Sequence, residues 1–126
     1  MNLEKVIFGF FILLALTLNV AFVIGDIDDP QHHSVWILFT AIVVNLIATV
    51  LKIGDRSHIG ALLLATALVA DLQLIACATL WTFANQVFGS LTAADMGSIV
   101  SLAAGALVAN VVSVTMVVTD SLISGR

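Results

Sequence analysis

An all-α membrane protein, a four-transmembrane-helix bundle running up-down-up-down with both termini cytoplasmic, is the fold that this sequence predicts. Three observations predict it. The chain of 126 residues is 61% hydrophobic and only 10% charged, with a mean hydropathy of +1.19, well outside the range of soluble domains. It divides into four apolar runs joined by short polar connections, and each run reaches the roughly 20 residues that a spanning helix needs. Its four bases, Lys5, Lys52, Arg56 and Arg126, fall at the N-terminus, in the second connection and at the C-terminus, while the first and third connections contain no Lys or Arg. With four spans those basic positions share one side, and positively charged loops stay in the cytoplasm. Residues 1–126 are expected to be a single transmembrane domain with no soluble module attached.

The first span runs from about Leu3 to Ile24 and stops at Gly25, ahead of Asp26, Asp28, Asp29 and Pro30, because glycine closes a helix and proline cannot continue one. Its apolar stretch is longer than a signal-peptide core and no small-residue cleavage pattern follows, so it is expected to be retained. Thr17 and Asn19 are its internal polar groups, and the spread of Phe8, Phe10, Phe11 and Phe22 around it suits lipid contact. The second span, about Ser34 to Ile53, carries Trp36 near its start, where an indole fits the headgroup boundary. Ser34, Ala41, Asn45, Thr49 and Lys52 fall on one of its faces. The connection Gly54 to His58 allows only an antiparallel hairpin, and Ser57 or Asp55 can cap the next helix.

The third span, about Ile59 to Phe88, is the stretch around which the rest is organised, because Asp71 lies near its middle. An Asp at the centre of a spanning helix costs about 2.5 to 3.5 kcal/mol on insertion scales, so it must face protein or water. At 100° per residue, Gly60, Ala67, Ala78, Thr82 and Asn85 share its face, whereas Gln73 points away and needs a partner of its own. Thr92 or Asp95 can cap a fourth helix, about Asp95 to Thr119. There Gly97, Ser101, Gly105, Ala109 and Ser113 recur every four residues. Small residues so spaced let two helices approach closely, either within the chain or between subunits.

These residues bound the function. A carboxylate at low dielectric either holds a cation or takes up a proton, or else serves as a polar clamp between helices. Asn45, Thr49, Thr82, Asn85 and Asn110 supply the amides and hydroxyls that could line an ion pathway with Asp71. Asp26, Asp28, Asp29, His32 and His33 form an external acidic segment that would concentrate cations at an entrance. Its spacing matches no metal-binding loop, so no metal and no cofactor is expected. The net charge of −4 argues against nucleic acid. Cys77 stands alone and reads as a packing residue, and no nucleophile and base pair or phosphate-binding loop occurs, so an enzyme is not expected.

Two four-helix families of this length differ from the chain at the residues that matter. Small multidrug-resistance transporters carry a glutamate inside the first helix, but Glu4 precedes the hydrocarbon here; dual-topology fluoride channels carry an arginine in the first span, which is absent. The expectation is a small oligomeric protein of the bilayer, sited in a bacterial inner membrane, that passes cations or protons through a midplane carboxylate site. The alternative is a non-conducting accessory subunit that docks a larger membrane protein through its small-residue helix face. A homo-oligomer is expected because a bundle this small has little interior of its own.

Overall fold

The computed structural model describes residues 3–25, 33–87 and 89–124. Among them are four helices and no strand: α1 (Leu3–Val23), α2 (Val35–Ile53), α3 (His58–Gln86) and α4 (Ala93–Ser124). All four are long and apolar enough to cross a bilayer, and the protein is an integral membrane four-helix bundle. The first three helices end within two residues of the sequence expectation, but α4 begins at Ala93 and continues through Ser124, five residues past Thr119. No proline or glycine interrupts that last stretch.

The helix ends follow their local chemistry. Gly25 closes α1 with φ 109°, a conformation that glycine adopts without strain. Ser57 caps α3 by accepting a hydrogen bond from the Gly60 N–H at 3.0 Å. At α4 the Asp95 N–H donates to Thr92 Oγ1 at 3.0 Å, and the Thr92 N–H donates to Asp95 Oδ2 at 3.1 Å. This is a reciprocal capping box, and it satisfies two backbone donors at once.

The helices form a ring in which each packs on two neighbours, α1 on α2 and α4, and α3 on α2 and α4, with the α3–α4 contact the most extensive. Their buried residues set the geometry. On α3 Gly60, Leu63, Ala67, Ala70, Leu74, Cys77, Trp81 and Ala84 alternate three and four apart, and Asp71 is buried beside Ala70. Phe8, Ile12, Ala15, Asn19 and Phe22 on α1 repeat the rule, as do Leu38, Ala41, Asn45 and Ala48 on α2 and Met96, Ile99, Ala103, Ala106, Asn110 and Ser113 on α4. A repeat of 3.5 residues keeps one seam facing inward in a left-handed bundle. Phe8 and Phe22 therefore belong to the core, not to the lipid face, while Phe10 stays outside.

Two apolar clusters fill the interior. The larger joins Phe22, Leu38, Leu74, Cys77, Trp81, Met96, Ile99 and Val100 with small neighbours. The smaller joins Phe8, Ile12, Ala48 and Leu63 and lies at the end where Lys5 approaches Asp120 at 3.8 Å and Lys52 approaches Asp55 at 3.4 Å. Lys52 also sits 4.3 Å above the Phe8 ring. This end, where Arg56 shares a cavity wall with Lys52, is the basic end of the bundle. The other end carries Trp36, which is 77% exposed.

Candidate functional site

Between the two apolar clusters lies a belt of buried polar side chains to which every helix contributes. Asn19 comes from α1, Asn45 and Thr49 from α2, Asp71 from α3, and Asn110 and Ser113 from α4. Cross-bundle contacts fix their levels. Thr49 is bonded to Asp71 at 2.5 Å, which sets α2 against α3. Thr66 and Ser113 hydroxyls meet at 2.5 Å, and the Gln73 amide lies over Gly105, so Leu107 stands opposite Asp71 on α4. Asn110 is three residues farther toward the basic end, about 4.5 Å along the axis, and Asn45 is one turn, about 6 Å, toward the other.

The hydrogen bonds in the belt are specific and incomplete. Asn110 Nδ2 donates to Asn19 Oδ1 at 2.9 Å, and Asn19 Nδ2 donates to the Ala103 carbonyl at 3.0 Å, so that the two amides tie α1 to α4 twice. Asn45 Nδ2 donates to the carbonyl of Ala41 at 3.1 Å. The Thr49 hydroxyl lies 2.9 Å from the Asn45 carbonyl as well as 2.5 Å from Asp71 Oδ2, and it has one proton to give. Among the described residues Asp71 Oδ1, Asn45 Oδ1 and Asn110 Oδ1 are buried with no hydrogen-bond partner. The charged side chains nearest the basic-end cluster, Lys5 and Lys52, lie outside the belt, in the wall of an end cavity.

Most of the residues expected from sequence are brought together and some are not. Asp71, Asn45, Thr49 and Asn110 share the belt. Thr82 and Asn85 do not join it, for both side chains are exposed. The inward seam of α3 repeats every 3.5 residues, so a wheel of 3.6 loses about 20° per heptad, and Thr82 lies beside Trp81 on the outside. Asn85 holds the heptad position of Asp71 two repeats on, but with Thr49 opposite Asp71 it is level with Val35, where α2 begins and cover ends. Asp26, Asp28, Asp29 and His32 lie outside the described residues. His33 is buried, its Nδ1 donating to the Phe22 carbonyl at 2.5 Å, with its ring 5.6 Å from the Phe22 ring.

The small-residue row of α4 divides. Ala109 and Ser113 are buried within the chain, and Gly105 receives Gln73, whose amide would lie within 2.8 Å of a Cβ there. Gly97 is half-buried and Ser101 exposed, its hydroxyl donating to the Gly97 carbonyl at 2.7 Å. Sequence reasoning missed Asn19 as a belt residue and Thr66 as the partner of Ser113. The heptad of α1, in which Asn19 stands in line with Ile12, Ala15 and Phe22, was the available signal.

A family sequence profile matches residues 32–121, from just before α2 almost to the end of α4. The chain belongs to DUF6394, a family of unknown function. The DUF6394 match takes in Asn45, Thr49, Asp71, Asn110 and Ser113, while Asn19 precedes it. No curated protein and no solved structure matches the chain.

Proposed function

We propose that this protein is a small transporter or channel for cations, of which the proton is the one its interior fits best, and that Asp71 is the group that binds and releases it. The observation carrying this reading is the row Asp71, Thr49, Asn45. When Asp71 is protonated, its hydroxyl donates to Thr49 Oγ1 and Thr49 donates to the Asn45 carbonyl, so each proton in the row has an acceptor. When Asp71 is ionised, Thr49 turns its proton to Oδ2 and releases the carbonyl. The two states differ by one proton and one hydroxyl rotation, and need no ligand shell. A metal cation would need about six oxygens around it.

The protein sits, in this reading, in a bacterial inner membrane with its termini and the Lys52 to His58 connection in the cytoplasm. The gathering of Lys5, Lys52 and Arg56 at one end supports that orientation.

Purified protein in liposomes with a trapped pH dye tests the proposal. Acid applied outside should acidify the lumen, Asp71→Asn should slow this at least about tenfold, Thr49→Val should slow it less, and Thr49→Ser should restore it. Equal rates in wild type and Asp71→Asn would remove Asp71 from the mechanism.

A second reading, an accessory subunit docking a larger membrane protein, draws on the α3–α4 face. Among the described residues Gln73 makes no hydrogen bond and its Oε1 is buried without a partner, while Ser101, one turn from Gly105 on α4, and Gly97, one turn further, leave room for another helix. We place a second copy of the chain there, because an amide both donates and accepts and so complements its own symmetry mate. Ser101→Cys should form a disulfide-linked dimer in membranes, and Gln73→Leu should weaken it. Co-purification of a different membrane protein in fixed ratio, with no self-linking and no flux, would instead establish the accessory role.

A further inference from the structure

The two sides of the belt are sealed to different depths. At the basic end a cavity of about 290 Å³ is lined by Lys5, Lys52, Asp55 and Asp120 and reaches inward to Leu63 and Val117. One turn deeper stand Thr66 and Ser113. Thr66 Oγ1 donates to the Leu63 carbonyl at 2.9 Å, which leaves Ser113 as the donor in the hydroxyl pair. Asn110, with its unpartnered Oδ1, is three residues beyond Ser113, and Asp71, with its unpartnered Oδ1, is the next polar group. The apolar barrier from the cavity to the first polar pair is thus the step from Leu63 to Thr66, about 4.5 Å. In the opposite direction the last belt group is Asn45, level with Ile75 of α3, and beyond it Cys77 and Trp81 follow on α3 against Ile99, Val100 and Met96, an apolar length of about 9 Å.

We infer that in this conformation Asp71 exchanges with the basic end only, along a path from the cavity past Leu63 to the Thr66–Ser113 pair and Asn110, and that release to the other face requires the larger cluster to part. This rests on the reading of Asp71 as a proton site. Water entering past Leu63 finds acceptors at Ser113, Asn110 Oδ1 and Asp71 Oδ1, and a hydronium there gives its proton to the Asp71 carboxylate, leaving water and a carboxylic acid. Leu63 is the gate of the path. The larger cluster is the seal on its far side.

Cysteine labelling tests the path without reference to flux. His58→Cys at the basic end and Ser90→Cys at the other report which face of a vesicle is outermost, and native Cys77, buried and bonded to the Ile99 carbonyl at 3.1 Å, is an internal control. In vesicles that label His58→Cys from outside, a small charged thiol reagent should modify Ser113→Cys at least about tenfold faster than Cys77, read by mass spectrometry. In vesicles of the other orientation it should not. Thr66→Cys should behave alike, and Leu63→Trp should slow both. Modification of Ser113→Cys and Thr66→Cys from the Ser90 face, or at no more than the rate of Cys77 from either face, would overturn the path. That result together with an inactive Asp71→Asn would leave the role of Asp71 standing and sink the path alone.

Discussion

The belt around Asp71 and the large cluster beyond it are built on the same heptad seams, yet different forces hold them. In the cluster the seam positions are bulky, with Phe22, Leu38, Leu74, Trp81, Met96 and Ile99 filling the space between helices. In the belt three of the four helices place an asparagine at a seam position: Asn19, Asn45 and Asn110. Lipid tails are as apolar as leucine, so apolar contact gives helices no preference for each other through water exclusion, and the cluster coheres by close packing. Packing of that kind tolerates a slide between helices if the new layers fit. The belt does not, because moving α1 by one heptad would part Asn19 from Asn110, and moving α2 would part Thr49 from Asp71. The comparison assigns tightness to one region and register to the other.

The largest effect is expected in the cluster. Leu74→Ala removes a fully buried side chain and should cost about 2 to 5 kcal/mol through the cavity it leaves, measured by reversible unfolding in mixed micelles. A cost below about 1 kcal/mol would mean that the cluster collapses freely, and it would then not serve as a seal.

A smaller effect is expected in the belt, with a different signature. Asn19→Leu removes the acceptor of Asn110 Nδ2 and the donor to the Ala103 carbonyl, and should cost about 1 to 2 kcal/mol. Asn110→Leu made alone should cost less, since Asn19 keeps its bond to Ala103. The double variant should cost less than the sum of the two, because no amide is then left unpaired. Strict additivity would show that the two amides do not act as a unit.

These two regions were unequally legible in the sequence. The spans, the hairpin after α2, the Ser57 cap and the Thr92–Asp95 start of α4 followed from composition, periodicity and turn chemistry, which are local. The burial of Asp71 followed from the cost of exposing it. Asn45 and Thr49 followed from a stripe on one helix. Asn19 did not, because its role depends on which residue of α4 stands opposite, and one helix read alone does not fix the register between two. Thr82 and Asn85 were misplaced by two further non-local facts, the supercoil that shortens the repeat to 3.5 and the level at which α2 begins. The α4 row drifts about 40° at each four-residue step, and over its length that drift turns Gly97 and Ser113 toward different neighbours.

The smallest effect sharpens the contrast from outside the membrane, because the basic end holds a second carboxylate on opposite terms. Asp55 Oδ1 accepts from Ser57 Oγ at 2.7 Å and from the Ser57 N–H at 2.9 Å, and Oδ2 faces Lys52 Nζ at 3.4 Å. The Ser57 hydroxyl foremost, then its N–H and more weakly Lys52, hold this carboxyl below the ordinary value of 3.8. A folded value below the unfolded one stabilises the fold fully above about pH 4 and loses that contribution as pH falls through the folded value. Stability linked to Asp55 should therefore be flat from pH 5 to 8 and fall only in acid. Ser57→Ala should cost about 0.5 to 1 kcal/mol by removing the α3 cap and should raise the Asp55 titration midpoint, followed by carbon NMR of the carboxyl. An unmoved midpoint would transfer the cause to the Ser57 N–H and Lys52. Asp55 thus has two donors from one residue, a base alongside and open water, and gains little by holding a proton. Asp71 has one hydroxyl that serves two acceptors and a second oxygen with none, and there a single proton completes the row.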